Sequence, residues 1–365
     1  MFGKQKLLFY FALLFAAAAL TAGGILAGAQ RSEPGDSTAP AATPTPPVDE
    51  EEEVIKVQTE AVNVLFTAQD KERRLFLDLK PQDIEILENG KRQSIVELSR
   101  KIDLPLSLAI LIDTSASQER TLPEERSAAI GFVESVIRPE KDEVAVVSFT
   151  GDSTLEQGMT SNVARLRRSI EQVRFVPPSG YIGGNVVAGG GRIPGTPPLS
   201  GGNQAAAGST AIWDAIWVTS EEILGPAPDK TRRAIILLTD GVNTYGTKTL
   251  ADSALAAQRA EAVIYAIGIG DNFYSGVDEG ALKKITERTG GRAYFPRNED
   301  DLRTAFKQIQ EELRSQYLLA YEPENQVLDG SYRTIEIKLT NSELRKLGVR
   351  LTHRQGYFAK IARKD

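Results

Sequence analysis

Apolar runs alternate with amphipathic helical periods between residues 104 and 315, and this alternation limits the available folds more than any other feature of the sequence. Runs that are apolar almost throughout are typical of strands buried on both faces, and the helices between them cover those faces. We therefore predict an α/β fold with a doubly wound, mostly parallel sheet. The predicted strands span residues 106–113, 143–149, 234–240, 262–269 and 292–295. The predicted helices span residues 122–137, 162–173, 210–224, 249–261, 278–289 and 300–315.

The first predicted strand ends in the sequence Asp-Thr-Ser-Ala-Ser, which places Asp113, Ser115 and Ser117 at alternate positions of the following loop. In open α/β sheets, ligands bind outside the carboxyl ends of the strands, so these oxygen atoms point to a binding site. A second interpretation is that Asp and Ser follow the strand only to cap the next helix.

Two further loops follow in order along the chain. Gly208-Ser209-Thr210 precedes a predicted helix, and Leu237-Leu238-Thr239-Asp240-Gly241 ends another apolar strand. Together with the Asp-x-Ser-x-Ser loop, they resemble the three loops of the metal-ion-dependent adhesion site, or MIDAS, of von Willebrand factor type A (VWA) domains. The resemblance implies a Rossmann-like sheet and a metal site formed by Asp113, Ser115, Ser117, Thr210 and Asp240.

Two carboxylates and three hydroxyls form an all-oxygen donor set that suits a hard cation. The family geometry implies that the three hydroxyls bind the ion directly, while Asp113 and Asp240 act largely through water molecules. Neutral oxygens would then dominate the first shell and leave the ion electrophilic. We expect Mg²⁺ as the cofactor, with Mn²⁺ or Ca²⁺ able to substitute, and a protein partner that supplies a carboxylate to the metal.

Two segments that flank the α/β region have the period of β-strands. Residues 54–102 include the turn Asn89-Gly90, which is a strong signal for a β-hairpin, and residues 316–365 contain further alternating runs. We predict that these two segments form one small β domain, into which the VWA-like domain at residues 103–315 is inserted.

The flanking segments also carry a second resemblance. The sequence L-K-P-Q-D-I-E-I-L-E-N-G-K-R at residues 79–92, together with S-Q-Y-L-L-A-Y at 315–321 and Gly-Tyr-Phe at 356–358, is similar to a bacterial group of exported VWA-like proteins. The biochemical roles of that group are largely unassigned.

Residues 176–209 form a Gly/Pro-rich insertion that is much longer than the usual loop of a compact domain. Two interpretations stay open, namely a mobile lid beside the metal and a disordered insertion. Its glycines lack the sequence context of a phosphate-binding loop.

The N-terminal residues predict export. Lys4 and Lys6 precede an uncharged run that ends in Ala-Gly-Ala at residue 29, so residues 1–29 are predicted to be a cleaved signal peptide. The alternative is an uncleaved membrane anchor, because the run is long enough to span a bilayer. Residues 30–53, rich in Pro, Thr and acidic residues, are predicted to be a disordered linker. The protein is therefore expected to be secreted or periplasmic, or anchored by its N-terminal segment.

Composition excludes several classes of function. A net charge of −6 argues against nucleic-acid binding, the absence of cysteine excludes thiolate chemistry, and the single histidine, His353, excludes multi-histidine zinc sites. The Gly-x-Ser-x-Gly motif of serine hydrolases does not occur. We expect no enzyme activity, and predict an exported, metal-dependent module for adhesion or protein interaction. The alternative is a structural or scaffold protein of the cell envelope with a vestigial metal site, and a hydrolase ranks third.

Overall fold

The computed structural model describes residues 61–100, 103–177, 181–182, 185–186, 208–228, 231–270 and 276–361. Val57–Asp365 forms one compact unit. The predicted signal peptide and linker, and most of the Gly/Pro-rich insertion, lie outside the described residues. Among the helices that are described, none is both long enough and apolar enough to cross a membrane.

The N-terminal segment folds into three strands, β1 Val62–Gln69, β2 Ile84–Glu88 and β3 Lys91–Ser99, with a 3₁₀ turn at Pro81–Asp83 before β2. The predicted hairpin is confirmed, because β2 and β3 pair antiparallel across Asn89-Gly90. Asn89 has φ 49° and Gly90 has φ 78°, the positive values that a two-residue hairpin turn requires.

The middle of the chain alternates strands and helices, as the sequence predicts. Its strands are β4 Leu106–Asp113, β5 Glu143–Phe149, β6 Ser153–Thr160, β7 Tyr181–Ile182, β8 Asn185–Val186, β9 Arg232–Thr239, β10 Ala262–Gly268 and β11 Ala293–Tyr294. Its α-helices are α1 Leu122–Val136, α2 Val163–Gln172, α3 Ile212–Val218, α4 Leu250–Arg259, α5 Glu279–Thr289 and α6 Glu299–Arg314. A 3₁₀ turn at Ala116–Gln118 precedes α1, and α3 continues into a π-helical turn at Thr219–Leu224.

Six strands of this region form one sheet in the order β11-β10-β9-β4-β5-β6. All neighbours are parallel except β6, which pairs antiparallel with β5. The predicted doubly wound, mostly parallel sheet is thus confirmed. The sequence analysis missed β6 because this edge strand is half exposed and contains Glu, Gln and Gly, which weaken the apolar pattern of a strand.

Strand β4 lies in the centre of the sheet and is buried along its whole length. Its alternating side chains enter two hydrophobic cores, because successive residues of a strand point to opposite faces. One core contains Leu108, Ile110 and residues of α1, α2 and α6. The other contains Ala109, Leu111 and residues of α3, α4 and α5. Helices on both faces therefore leave only the ends of this strand free for a ligand.

The C-terminal segment adds β12 Tyr317–Glu322, β13 Tyr332–Leu339, β14 Arg350–His353 and β15 Gly356–Phe358, with a short helix α7 at Ser342–Lys346. These strands join β1, β2 and β3 in a second, antiparallel sheet of order β14-β1-β12-β3-β2-β13-β15. The prediction that the N- and C-terminal segments share one β structure is confirmed. The limits assigned to the domains stay predictions.

Polar contacts connect the two sheets. Gln69 at the end of β1 donates to Glu312 Oε1 in α6 at 2.8 Å, and the Tyr294 hydroxyl donates to the same oxygen at 2.8 Å. Arg354, which follows β14, donates to Glu261 at 2.9 Å. The antiparallel sheet is thereby attached to the flank of the α/β region through α6 and the turn after α4.

Candidate metal centre

Asp113 ends β4 and is fully buried. Its Oδ1 accepts a hydrogen bond from the Ser115 amide at 2.9 Å, and its Oδ2 accepts one from the Thr239 hydroxyl at 2.6 Å. Burial raises the pKa of Asp113 to about 7; the Ser115 and Thr239 hydrogen bonds oppose this rise, and the nearby Asp240 adds to it. The carboxylate is therefore held in a fixed orientation at the end of the central strand, where its charge is only partly compensated.

The two predicted serines lie on one side of this carboxylate. Ser115 is buried and precedes the 3₁₀ turn, while Ser117 lies within that turn and is half exposed. Their hydroxyl oxygens are 3.2 Å apart. The Ser117 side chain is also hydrogen-bonded to Asp240, so it connects the first loop to the third. This hydrogen bond opposes the rise in the pKa of Asp240 that burial causes. The alternate spacing of the serines thus brings both hydroxyls to the same end of the sheet.

Thr210 is buried in a second loop that contacts both of the others. The Ala116 amide donates to the Gly208 carbonyl at 3.4 Å, which attaches this loop to the first. The Thr210 amide donates to the Thr244 hydroxyl at 2.9 Å, and the Thr210 carbonyl accepts from the amides of Thr244 and Tyr245 at 2.9 and 3.0 Å. Main-chain contacts therefore hold Thr210 between the loops that carry the two aspartates.

Asp240 follows β9 and is almost completely buried. Its Oδ1 accepts a hydrogen bond from the Val242 amide at 2.9 Å, and burial raises its pKa. Gly241 comes next with φ 83°, and an added Cβ there would lie 2.9 Å from Leu282 Cγ. The turn that directs Asp240 into the site thus requires a residue with no side chain.

Asp214 in α3 supports the loop that follows Asp240. Its carboxylate accepts hydrogen bonds from the amides of Thr247 and Lys248, at 2.9 and 3.0 Å for Oδ2, and from the Thr247 hydroxyl at 2.9 Å. The helix that begins directly after Thr210 therefore orients the chain downstream of Asp240, so the second and third loops are joined at two places.

Glu125 is a further acidic residue near this site that the sequence analysis did not select. It lies in the first turns of α1, is fully buried, and is close enough for the charges of Asp113 and Asp240 to raise its pKa. Burial is the larger cause, and the resulting pKa is about 8. Its burial could have been predicted, since position 125 falls on the helical stripe formed by the buried residues Leu122, Ala128, Ala129, Phe132 and Val133.

The donor set fits a hard divalent cation. The loops that carry the five predicted residues come together at the carboxyl ends of β4 and β9. Among the described residues, no Lys or Arg forms an ion pair with Asp113, Asp240 or Glu125. Nowhere in the described chain do three His, Cys, Asp or Glu side chains form a group that could hold a metal by themselves. A cation here would therefore need the hydroxyls of Ser115, Ser117 and Thr210 in addition to the carboxylates.

The buried acids predict how the metal-free protein responds to pH. The pKa values of Asp113 and Glu125 are raised to about 7 and about 8, so the folded state binds more protons than the unfolded state in this range. Stability present at low pH is then lost as pH rises through these values. We expect a melting temperature in EDTA at least about 3 °C higher at pH 6.5 than at pH 8.5.

Calorimetry in matched buffers checks this expectation. Burial lowers the pKa of His353, so this residue makes stability rise with pH. That contribution falls at pH values below about 6.5, outside the pH interval that is compared. A melting temperature that is constant or rises between pH 6.5 and 8.5 would contradict the assignment of buried, uncompensated acids.

The sequence was compared with family models, curated proteins and solved structures. Residues 200–310 match the family model described as the von Willebrand factor type A domain. The matched stretch contains Thr210 and Asp240 and begins after the loop of Asp113, Ser115 and Ser117. A search of curated proteins found no match.

The solved structures that are similar to this chain include one protein from a mussel and two from Bacteroides species. Proximal thread matrix protein 1 from the mussel byssus is 18% identical, with 61% of this chain and 49% of that chain covered and a TM-score of 0.44. An aerotolerance-related membrane protein from Bacteroides fragilis is 16% identical, with 57% and 99% covered and a TM-score of 0.40. The conserved hypothetical protein BatB from Bacteroides thetaiotaomicron is 15% identical, with 58% and 100% covered and a TM-score of 0.38. The present chain spans about half the length of the mussel protein.

Proposed function

We propose that this chain, which contains a von Willebrand factor type A domain, is a divalent-cation-dependent protein-binding module that acts outside the cytoplasm. Mg²⁺ is the proposed cofactor, with Mn²⁺ or Ca²⁺ able to substitute. Ser115, Ser117 and Thr210 would hold the ion directly, and Asp113 and Asp240 would orient its water ligands. When bound, the ion supplies an electrophilic position for the carboxylate of a partner protein.

One observation carries this proposal, namely that two buried aspartates without a cationic partner among the described residues lie at one end of a parallel sheet, where the loops of Ser115, Ser117 and Thr210 contact one another. Burial of a carboxylate that lacks a counter-charge costs several kcal/mol in effective terms. A site that keeps two such groups side by side is explained by a cation that neutralises them. The half-exposed position of Ser117 leaves this end of the sheet accessible to a partner.

We also propose a non-enzymatic role, and the position of the only histidine supports it. The only histidine lies in β14, where Nε2 accepts from the Ile337 amide at 3.1 Å and Nδ1 contacts the Arg354 carbonyl at 2.8 Å. Both ring nitrogens are thus used in main-chain contacts. Activation of a serine or threonine requires a base within hydrogen-bonding reach, and His353 does not supply one here.

An extracytoplasmic location is proposed from residues 1–29, which have the charge and apolar pattern of an export signal. A chain that is exported without any cysteine depends on its packed cores for stability, and the two sheets supply three such cores. Export also places the candidate site where extracellular or periplasmic proteins can reach it.

Affinity capture in the presence and absence of metal tests the proposal. Immobilised protein is mixed with an extracytoplasmic extract in Mg²⁺, and we expect a partner that is retained in Mg²⁺ and released by EDTA. A peptide containing Glu should compete for the site, whereas the same peptide with Gln should not. A parallel calorimetric titration measures Mg²⁺ binding to the protein alone.

Affinity capture and calorimetric titration together distinguish the proposed binding module from a scaffold protein with a vestigial site. Measurable Mg²⁺ binding together with EDTA-sensitive capture supports a metal-dependent binding module. Absence of Mg²⁺, Mn²⁺ and Ca²⁺ binding, or capture that EDTA leaves unchanged, would favour a scaffold protein of the cell envelope with a vestigial site.

A further inference from the structure

Glu125 is a buried carboxylate for which the proposed five-residue site has no use. It is fully buried, and neither Oε1 nor Oε2 has a hydrogen-bond partner. The nearby Thr121 hydroxyl lowers the pKa of Glu125, but its hydrogen bond goes to Gln118 Oε1 at 2.9 Å, so it does not satisfy the Glu125 oxygens. Buried carboxylates are normally hydrogen-bonded or paired with a cation, so both oxygens require donors that the described side chains do not supply.

The position of Glu125 in α1 directs its side chain towards the candidate metal centre. Helical side chains lean towards the N-terminus of their helix, and α1 begins directly after the loop of Asp113, Ser115 and Ser117. Gln118 follows this loop, and its side chain donates to the Ile269 carbonyl at 3.1 Å. Glu125 therefore lies on the turn of α1 nearest this loop, close enough to Asp113 and Asp240 for their charges to raise its pKa.

We propose that Glu125 is a third acidic group of the metal centre, with its two oxygens accepting hydrogen bonds from water molecules bound to the cation. This inference rests on the proposed metal site. Hard divalent ions such as Mg²⁺ keep several of their waters in protein sites, and each of these waters is a hydrogen-bond donor. The bound ion would thus supply the donors that both oxygens of Glu125 lack, together with the positive charge that a buried carboxylate needs.

The pKa of Glu125 is raised to about 8. Burial and the charges of Asp113 and Asp240 make an ionised Glu125 unfavourable in the metal-free protein. A cation bound at the centre would instead favour the ionised form of Glu125. The same side chain is therefore expected to weaken the metal-free fold and to strengthen metal binding.

These opposite effects distinguish a metal-centre residue from a residue that only packs. Calorimetric titration of Mg²⁺ into Glu125→Gln at pH 8 should give an affinity about tenfold lower than that of the unsubstituted protein. Glu125→Leu, which removes both the charge and the acceptors, should lower the affinity further. In EDTA, the melting temperature of Glu125→Gln should be higher than that of the unsubstituted protein, and the rise caused by Mg²⁺ should be smaller.

Glu124→Gln is the matched control, because it removes the same charge from the neighbouring, exposed position of α1. It should change neither the affinity nor the melting temperature appreciably. Equal Mg²⁺ affinity of Glu125→Gln and the unsubstituted protein would overturn the role of Glu125 while leaving the metal site in place. A lower melting temperature of Glu125→Gln in EDTA would also overturn it, since that result belongs to a purely structural residue. Failure of the unsubstituted protein to bind Mg²⁺ would refute the metal site itself.

Discussion

Deletion of residues 316–365 is expected to abolish soluble expression of the protein. The deletion removes β12 and β13 from the interior of the antiparallel sheet, where β12 separates β1 from β3 and β13 separates β2 from β15. It also removes core side chains such as Leu319, Tyr321 and Ile337. Each large apolar side chain contributes about 1.5–3 kcal/mol when buried, so loss of several is comparable to the about 5–15 kcal/mol by which domains are stable.

The unpaired edges of β1 and β3 would also promote aggregation. Soluble yield and calorimetric unfolding measure the effect, and we expect an insoluble product. A shortened chain that stays soluble and unfolds cooperatively with unchanged stability would show that residues 316–365 are not part of the same folded structure.

A pair of single substitutions tests the same point within the full-length chain. Leu319→Asp places a charge in the buried centre of β12, whereas Val96→Asp places the same charge at a position of β3 that is 61% exposed. The first substitution should lower the melting temperature strongly or prevent folding, because it leaves an unpaired charge in the core. The second should change stability by no more than about 0.5 kcal/mol.

Replacement of both candidate metal-site aspartates is expected to eliminate metal binding. The double variant Asp113→Asn, Asp240→Asn retains side chains of nearly the same shape but removes two negative charges that would orient the waters of the ion. Losses of this kind cost 10- to 100-fold each, so the Mg²⁺ affinity measured by calorimetry should fall by at least about 100-fold. Capture of a partner in Mg²⁺ should disappear with it.

The same double variant should remain folded. Burial disfavours the ionised form of both aspartates, as their raised pKa values show, and Asn at positions 113 and 240 removes that cost. The metal-free variant should therefore melt no lower than the unsubstituted protein at pH 8. The exposed pair Asp152→Asn, Asp300→Asn is a control with the same change in charge and should bind Mg²⁺ normally. Equal Mg²⁺ affinity of the two double variants would refute the assigned site.

Much of the α/β region could be predicted from the sequence. Strands β4 and β5 begin and end at the predicted residues, because an apolar run bounded by polar residues is a local property. The Asn89-Gly90 hairpin was also predictable, since its two positive φ angles depend on those two residues alone. The five candidate metal-site residues were selected from three loops in the order typical of the family, and the structure brings these loops together.

Other features escaped the sequence analysis for a common reason. β6 is an edge strand whose mixed polar composition has no clear period, and its identity depends on pairing with β5. Glu125 resembles an ordinary acidic residue in the first turn of a helix, where negative charge is favourable. Its place on the buried stripe of α1 was predictable, but its closeness to Asp113 and Asp240 depends on the packing of α1 against the sheet.

The local elements could be assigned from the amino-acid sequence alone, because hydrophobic period, turn residues and loop composition act over a few neighbouring positions. The folded structure was needed to show that β1 lies between β12 and β14, more than 200 residues away, and that β3 pairs with β12. The folded structure also shows that the charges of Asp113, Asp240 and Glu125 act on one another. Among the described residues, no basic side chain is paired with any of the three. Strand pairing and the desolvation of a charge depend on residues that are distant in the chain, so neither can be calculated from a local pattern.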